Sequence, residues 1–260
     1  MKQKVKSLIK NSLQKVGIEV SYVGGPDRDP QMYINTLRGG VSVKNPFNIV
    51  QVGANDGKYN DPIFDFVKTH KDITKIILIE PQEELIPYLK ENYTHHPEFE
   101  IYNKAIGKEE TTLCMYRINK QYWNDIDVGY EENWPDYRVP TGITTSDREQ
   151  LSEWVSTKTD LSPDEAIERY DVNVVQPNSI LNESGIIDEV DLLQVDTEGM
   201  DDEVVYSFFE NDIYPRIINS EIKHLDDNQQ NRYDKKMANN GYEVYDYAYG
   251  EKLALKREQT

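Results

Sequence analysis

Three groups of residues in this 260-residue chain have the types and spacing to do chemistry. The first is the run Asn48-Ile49-Val50-Gln51-Val52-Gly53-Ala54-Asn55-Asp56-Gly57, an apolar strand that ends in a turn with two glycines. Glycine tolerates positive φ and lets a ligand approach the backbone. The turn from Gly53 through Ala54, Asn55 and Asp56 to Gly57 is therefore expected to cradle a carboxylate-bearing cofactor with its N–H groups. It departs from the G-x-G-x-x-G dinucleotide fingerprint, because Asn55 stands where the second glycine would be, and this disfavours a nicotinamide cofactor. The second group is Glu80, directly after Ile76-Ile77-Leu78-Ile79 and before Pro81. An acid at that strand end can accept hydrogen bonds from ribose hydroxyls. Asn103-Lys104-Ala105-Ile106-Gly107 would then lie beside the base, with Asn103 either bonding the base or closing a turn. The third group is Asp196 and Glu198 at one strand end with Glu221 and His224 at the next. His224 suits general-base work near neutral pH, whereas the carboxylates would need a raised pKa or would orient a substrate. The opposing reading makes Asp196 and Glu198 helix caps and His224 a surface residue. Asp196, Glu198 and Glu221 could also hold magnesium, a hard cation that takes oxygen ligands; the preferred reading is metal-free.

The elements that must position these residues are legible. Short Ile- and Val-rich runs alternate with helical patterns, with strands expected at 48–53, 75–80, 99–103, 190–195 and 215–221, and further extended segments at 111–117 and 242–248. A helix is expected after Asp61 and Pro62, another after Pro81, a short one from Ser162-Pro163 and one from Asn178 to Ser184, stopped by Gly185. This order predicts an α/β fold, a Rossmann-like, doubly wound, mostly parallel sheet over residues 46–250, with ligands beyond the carboxyl ends of the strands. The length fits one domain spanning 1–260.

Residues 118–171 break the alternation. They are polar and irregular yet hold all three tryptophans, Trp123, Trp134 and Trp154. An aromatic-rich insertion of this length reads either as a substrate lid or as a satellite core under a long loop. Residues 1–20 carry Lys2, Lys4, Lys6, Lys10 and Lys15, with Val5, Leu8, Ile9, Leu13 and Val16 at helical spacing. This basic amphipathic helix is expected to pack on the domain or on a second copy in a homo-oligomer, or to make peripheral contact with an anionic membrane. A net charge of -18 opposes nucleic-acid binding. Cys114 is the sole cysteine, which excludes an intramolecular disulfide and a thiolate-only metal site and fits a reducing cytoplasm. No run of about 20 apolar residues is present to span a membrane, and the start lacks the pattern of a secretory signal.

The stretches VQVGANDG, IEP, NKAIG and LLQVDTEGMDDEV resemble, in order, the FkbM-type methyltransferases, a branch of the Rossmann-like S-adenosylmethionine enzymes, over residues 48–225. The resemblance implies a class I methyltransferase fold. It also implies cofactor contacts from Gly53, Asn55, Gly57, Glu80 and Asn103, and O-methylation of a sugar, glycan or other hydroxyl-bearing small molecule. With it, Ala54, Asp56, Ala105 and Asp196 join the expected cofactor contacts, and Trp123, Trp134 and Trp154 become candidates to stack on the acceptor. Gln51 departs from the family pattern, since an acid commonly opens the first motif. The sulfonium already carries an activated methyl, so the protein has to align an acceptor oxygen and remove its proton. The same cofactor half would serve an N- or carboxyl-methyltransferase, or a catalytically silent cofactor-binding or assembly protein.

Overall fold

The structure, a computed structural model, describes residues 29, 31–126 and 134–257. The helix expected over residues 1–20 lies outside the described residues. Strand β1 (Phe47–Val52) is buried at every position, and the period of two divides that run between two cores. Val50 and Val52, with Ile77, Ile79, Leu193 and Val195, face one core, and Ile49, with Ile76, Leu78 and Leu192, faces the other. The first core is closed by α7 (Pro177–Ser184), α8 (Asp201–Glu210) and α9 (Asp227–Asn239), which contribute Ile180, Phe208 and Tyr233. The second is closed by α1 (Met32–Val43), α2 (Phe64–Thr69) and α3 (Ile86–Tyr93), through Tyr33, Leu37, Val67 and Leu89. Gly185 ends α7 with φ 61, the left-handed position that favours glycine.

The main sheet has seven strands in the order β3-β2-β1-β7-β8-β10-β9. Here β2 is Thr74–Ile79, β3 Phe99–Tyr102, β7 Leu192–Val195, β8 Ile217–Glu221, β9 Tyr242–Ala248 and β10 Glu251–Lys256. The first five are parallel, and β10 runs antiparallel to both neighbours. This is the expected doubly wound, mostly parallel sheet. The order reverses between β1 and β7, so their carboxyl ends flank the crevice where such sheets bind ligands. The core is larger than 46–250, because α1 buries Tyr33 and Leu37 ahead of it and β10 extends it to Lys256.

The insertion is not irregular. It holds a 3-10 turn (Lys120–Asp125), α4 (Arg138–Thr141), α5 (Arg148–Lys158), α6 (Pro163–Ala166) and the start of β6 (Ile167–Val175). Strand β6 pairs antiparallel with β5 (Thr111–Ile118) and parallel with β4 (Ala105–Ile106) in a second, three-stranded sheet. Behind it Ile118, Trp123, Ile126, Leu151, Val155 and Ala166 form a third core. Trp123 is 7% exposed, and its Nε1–H donates to the Ile118 carbonyl at 3.1 Å. It is a core residue, which corrects its expected contact with substrate. Among the described residues no helix is long and apolar enough to cross a membrane.

Candidate active site

The turn after β1 is built by its own hydrogen bonds. Gly53 and Ala54 donate to the Ile79 carbonyl at 2.9 and 3.1 Å, and Gly57 donates to the Ala54 carbonyl at 2.8 Å. Asn55, at φ 48, donates its N–H to Glu80 Oε2 at 2.7 Å and accepts from the Asp56 N–H at 2.9 Å. Asp56 accepts from the N–H groups of Lys58 and Tyr59 at 2.9 and 3.0 Å and from the Tyr137 hydroxyl at 3.1 Å. Every N–H from Gly53 to Tyr59 is thus committed within the protein, which corrects the expectation that they cradle a carboxylate.

Gly53 is required for another reason: a Cβ there would lie 1.8 Å from the Asp196 carbonyl oxygen, so its bare backbone lets β1 and β7 end side by side. A Cβ at Gly57 would meet Leu89 and Tyr93, so that glycine serves packing. Of the five turn residues, Gly53 and Asn55 line the adjoining cavity, together with Val52. Ala54 is buried in core, and Asp56 and Gly57 shape the turn, so these three do not contact a cofactor directly. Gln51 donates to Asp61 Oδ2 at 2.6 Å, and Asp61 Oδ1 accepts from the N–H groups of Ile63 and Phe64 at 2.8 Å each. The departure at position 51 therefore falls away from the cavity lining.

That cavity, about 420 Å³, runs along the ends of β1, β2 and β7 and under the second sheet. Glu80, 2% exposed, accepts from the N–H groups of Asn55 and Gln82 at 2.7 and 2.8 Å and lines it. Burial pushes its carboxyl up to about 7 against these hydrogen bonds. Beyond it, Ala105, Ile106, Leu113, Met115, Val174 and Val204 make an apolar wall suited to a flat heterocycle. Asn103 does not line this space. Its Nδ2 donates to the carbonyls of Glu80 and Pro81 at 3.0 and 2.9 Å, so it closes the turn and does not read a base.

At the end of β7, Asp201, the first residue of α8, ties down the loop before it. Its Oδ2 accepts from the Thr197 hydroxyl at 3.0 Å and from the N–H groups of Thr197 and Gly199 at 3.4 Å each. No side chain caps α8, so neither Asp196 nor Glu198 is a helix cap, and sequence reasoning missed the hold of Asp201 on this loop. Asp196 lies beside Glu198 and Glu221, and burial first, then repulsion from these two, hold its carboxyl well above the usual range. His224 Nε2 sits 2.8 Å from Glu198 Oε2 and 3.4 Å from Glu221 Oε2, and these partners raise its pKa to about 9. At neutral pH it is an imidazolium, which cannot take a proton, so the expectation of His224 as general base is corrected. Burial pushes Glu221 up, but hydrogen bonds from His224 and Lys223 outweigh it and leave its pKa lowered. Ligand atoms of Glu198, Glu221 and His224 lie within 4.8 Å of one another, so a cation held here would take His224 where the sequence suggested Asp196.

A second pocket, about 280 Å³, opens beside the first. Trp134 and Trp154 line it, with Gln150, Glu221, Lys223 and His224. The two spaces share Arg138, Gly142, Asp196 and Glu198. Sequence reasoning missed Arg138, whose position in α4 became readable only once the insertion was seen to fold over the strand ends.

Three buried acids, Glu80, Asp201 and Glu251, are each pushed up to about 7, chiefly by burial. Their stabilising protons are fully held below the carboxylate values of the unfolded chain and are lost as pH rises through about 7. Thermal melts should therefore give a Tm that falls from about pH 5 to about pH 8. A Tm that rises across that window would contradict this account of the buried carboxyls.

The strand order and the cavities beyond the carboxyl ends of the parallel strands define a Rossmann-like, ligand-binding α/β protein. The model of the methyltransferase FkbM domain matches residues 51–244. The chain belongs to the FkbM methyltransferase family. No match to a curated protein sequence is found. Among solved structures the chain is similar to a SAM-dependent methyltransferase from Aquifex aeolicus, at 10% identity and TM-score 0.39, covering 87% of this chain and 88% of that one. It is also similar to the human methyltransferase 10 domain containing protein, at 9% identity and TM-score 0.38, covering 97% and 95%. A Methanococcus jannaschii fibrillarin pre-rRNA processing protein gives 9% identity and TM-score 0.39, covering 84% and 69%. The fold assignment rests on strand order and register, not on these distant likenesses.

Proposed function

We propose that this enzyme methylates a hydroxyl of a carbohydrate or similar small acceptor seated against Trp134 and Trp154, with Asp196 receiving the hydroxyl proton. The observation that carries the reading is that Asp196 and Glu198 line both cavities, so a group bound in one meets a group bound in the other beside these carboxylates. Glu80 and the apolar wall around Ala105 fit the ribose and base of S-adenosylmethionine, and the larger cavity is of a size to hold it. When bound, S-adenosylmethionine supplies a methyl group already activated on a sulfonium.

The protein's part is then alignment and proton removal. Asp196, with no hydrogen bond or ion pair from its side chain among the described residues, is the carboxylate free to accept the acceptor O–H. Glu198, tied to His224 at 2.8 Å, orients the acceptor. Aromatic faces beside hydrogen-bonding groups suit a sugar, which presents apolar C–H faces and polar edges. With an acceptor in hand, Trp154→Ala should raise the acceptor KM roughly tenfold while leaving S-adenosylhomocysteine affinity unchanged. An unchanged acceptor KM would remove the Trp154 wall from the acceptor site.

A further inference from the structure

The placement of the cofactor's ribose at Glu80 and its reacting end at Asp196 leaves the amino-acid arm between the glycine turn and the shared rim. That arm ends in a carboxylate, in a region already lined by Glu80, Asp196 and Glu198. Such a group needs either free N–H donors or a cation. The turn has no donor to give, because each N–H from Gly53 to Tyr59 is already bonded within the protein. The N–H groups of Ile63 and Phe64 at the start of α2 are likewise taken by Asp61. Among the described cations of the cavity wall, Lys108 is committed to Glu203 and Glu210 at 2.8 and 3.6 Å, and Lys104 adjoins Ala105 at the base end.

We infer that Arg138, carried on the insertion, holds the carboxylate of the cofactor's methionyl arm in place of the glycine turn. Arg138 lines both cavities and makes no ion pair among the described residues. Its Nε–H donates to the Tyr59 carbonyl at 3.0 Å, which anchors the side chain and leaves its two terminal nitrogens for a planar, two-point contact with a carboxylate. The position is fixed from several sides. The neighbouring Tyr137 stacks on Tyr88 at 4.1 Å and donates to Asp56, tying this part of the insertion to the turn. Gly142 leaves room for the guanidinium, since a Cβ there would come within 2.5 Å of Nη1. The Trp134 ring lies 5.3 Å from the guanidinium carbon. The charge is also near enough to Glu80 to favour that carboxylate's ionised form. Binding of the cofactor thus joins the insertion, which builds the acceptor pocket, to the glycine turn.

This inference rests on the methyltransferase reading, and one calorimetric series separates the two. S-adenosylhomocysteine and its decarboxylated analogue are titrated into wild type, Arg138→Gln and Arg138→Lys. Arg138→Gln should weaken S-adenosylhomocysteine roughly ten- to a hundredfold and leave the decarboxylated analogue unchanged, with Arg138→Lys in between. Retained binding of the analogue also reports that each variant is folded. Equal S-adenosylhomocysteine affinity in wild type and Arg138→Gln overturns the role of Arg138, as does an equal loss for both ligands. Failure of folded wild type to bind either ligand would instead overturn the cofactor site itself.

Discussion

Replacing Asp196 by Asn is expected to lower kcat roughly 10²- to 10⁴-fold while S-adenosylhomocysteine binds within about twofold of wild type. The side chains are nearly isosteric, so the change removes the proton acceptor and keeps the wall of both cavities. A carboxylate that burial and the neighbouring Glu198 and Glu221 hold well above its usual range is suited to take a proton from an alcohol during bond formation. His224 cannot substitute for it, because Glu198 and Glu221 keep the imidazole charged. His224→Gln should therefore disturb the acceptor side without the collapse in kcat. Steady-state kinetics beside calorimetry check both statements. An Asp196→Asn enzyme that turns over at the wild-type rate would remove Asp196 from the chemistry.

The second large effect is on the cofactor. Glu80→Ala should weaken S-adenosylhomocysteine roughly a hundredfold, since it removes the charged acceptor expected for both ribose hydroxyls. It also releases the N–H groups of Asn55 and Gln82, so the turn keeps only the bonds of Gly53 and Ala54 to Ile79 at the end of β2. The loss should appear in calorimetry as weaker binding and in thermal melts as a modest fall in Tm. Unchanged affinity would place the ribose elsewhere.

Much of this architecture was legible because buried parallel strands read as near-continuous apolar runs, as Ile76 to Ile79 does without a break and Leu192 to Val195 with Gln194 alone interrupting. The ends of those strands then located Gly53, Glu80 and Asp196. What the residues did there was less legible. Asp56, Gly57 and Asn103 looked like ligand contacts, yet a tight turn consumes the hydrogen-bonding capacity that makes such residues attractive. Asp201 was overlooked as the anchor of the loop after β7, because only the path of the chain, with Glu198 at φ 54 and Gly199 at φ 115, brings Thr197 and Gly199 within reach of its carboxylate.

The insertion hid for another reason. Its strand β6 mixes Tyr170, Val172 and Val174 with charged residues, a half-exposed alternation that is far weaker than a buried run. Strand β10 carries only Leu253, Ala254 and Leu255 between its lysines, a run too brief to stand out. Trp123 and Trp154 share composition and neighbourhood but not fate. The indole of one is closed into a core by Ile118, and the other borders the smaller of the two joined pockets. Likewise, His224 has the intrinsic pKa of a general base, and only its contact with two carboxylates, which raise that pKa, sets it apart. No local pattern in the sequence distinguishes these outcomes, because they depend on which elements meet across the ends of the sheet.

The central claim is that two cavities meeting at Asp196 hold the cofactor and the acceptor. A crystal structure of the protein with S-adenosylhomocysteine bound tests it most directly. Ribose hydroxyls are expected on the Glu80 carboxylate, the base against Ala105 and Ile106, and the sulfur at the rim beside Asp196, facing the pocket of Trp134 and Trp154. A bound molecule whose ribose avoids Glu80, or whose sulfur points away from that rim, would contradict it.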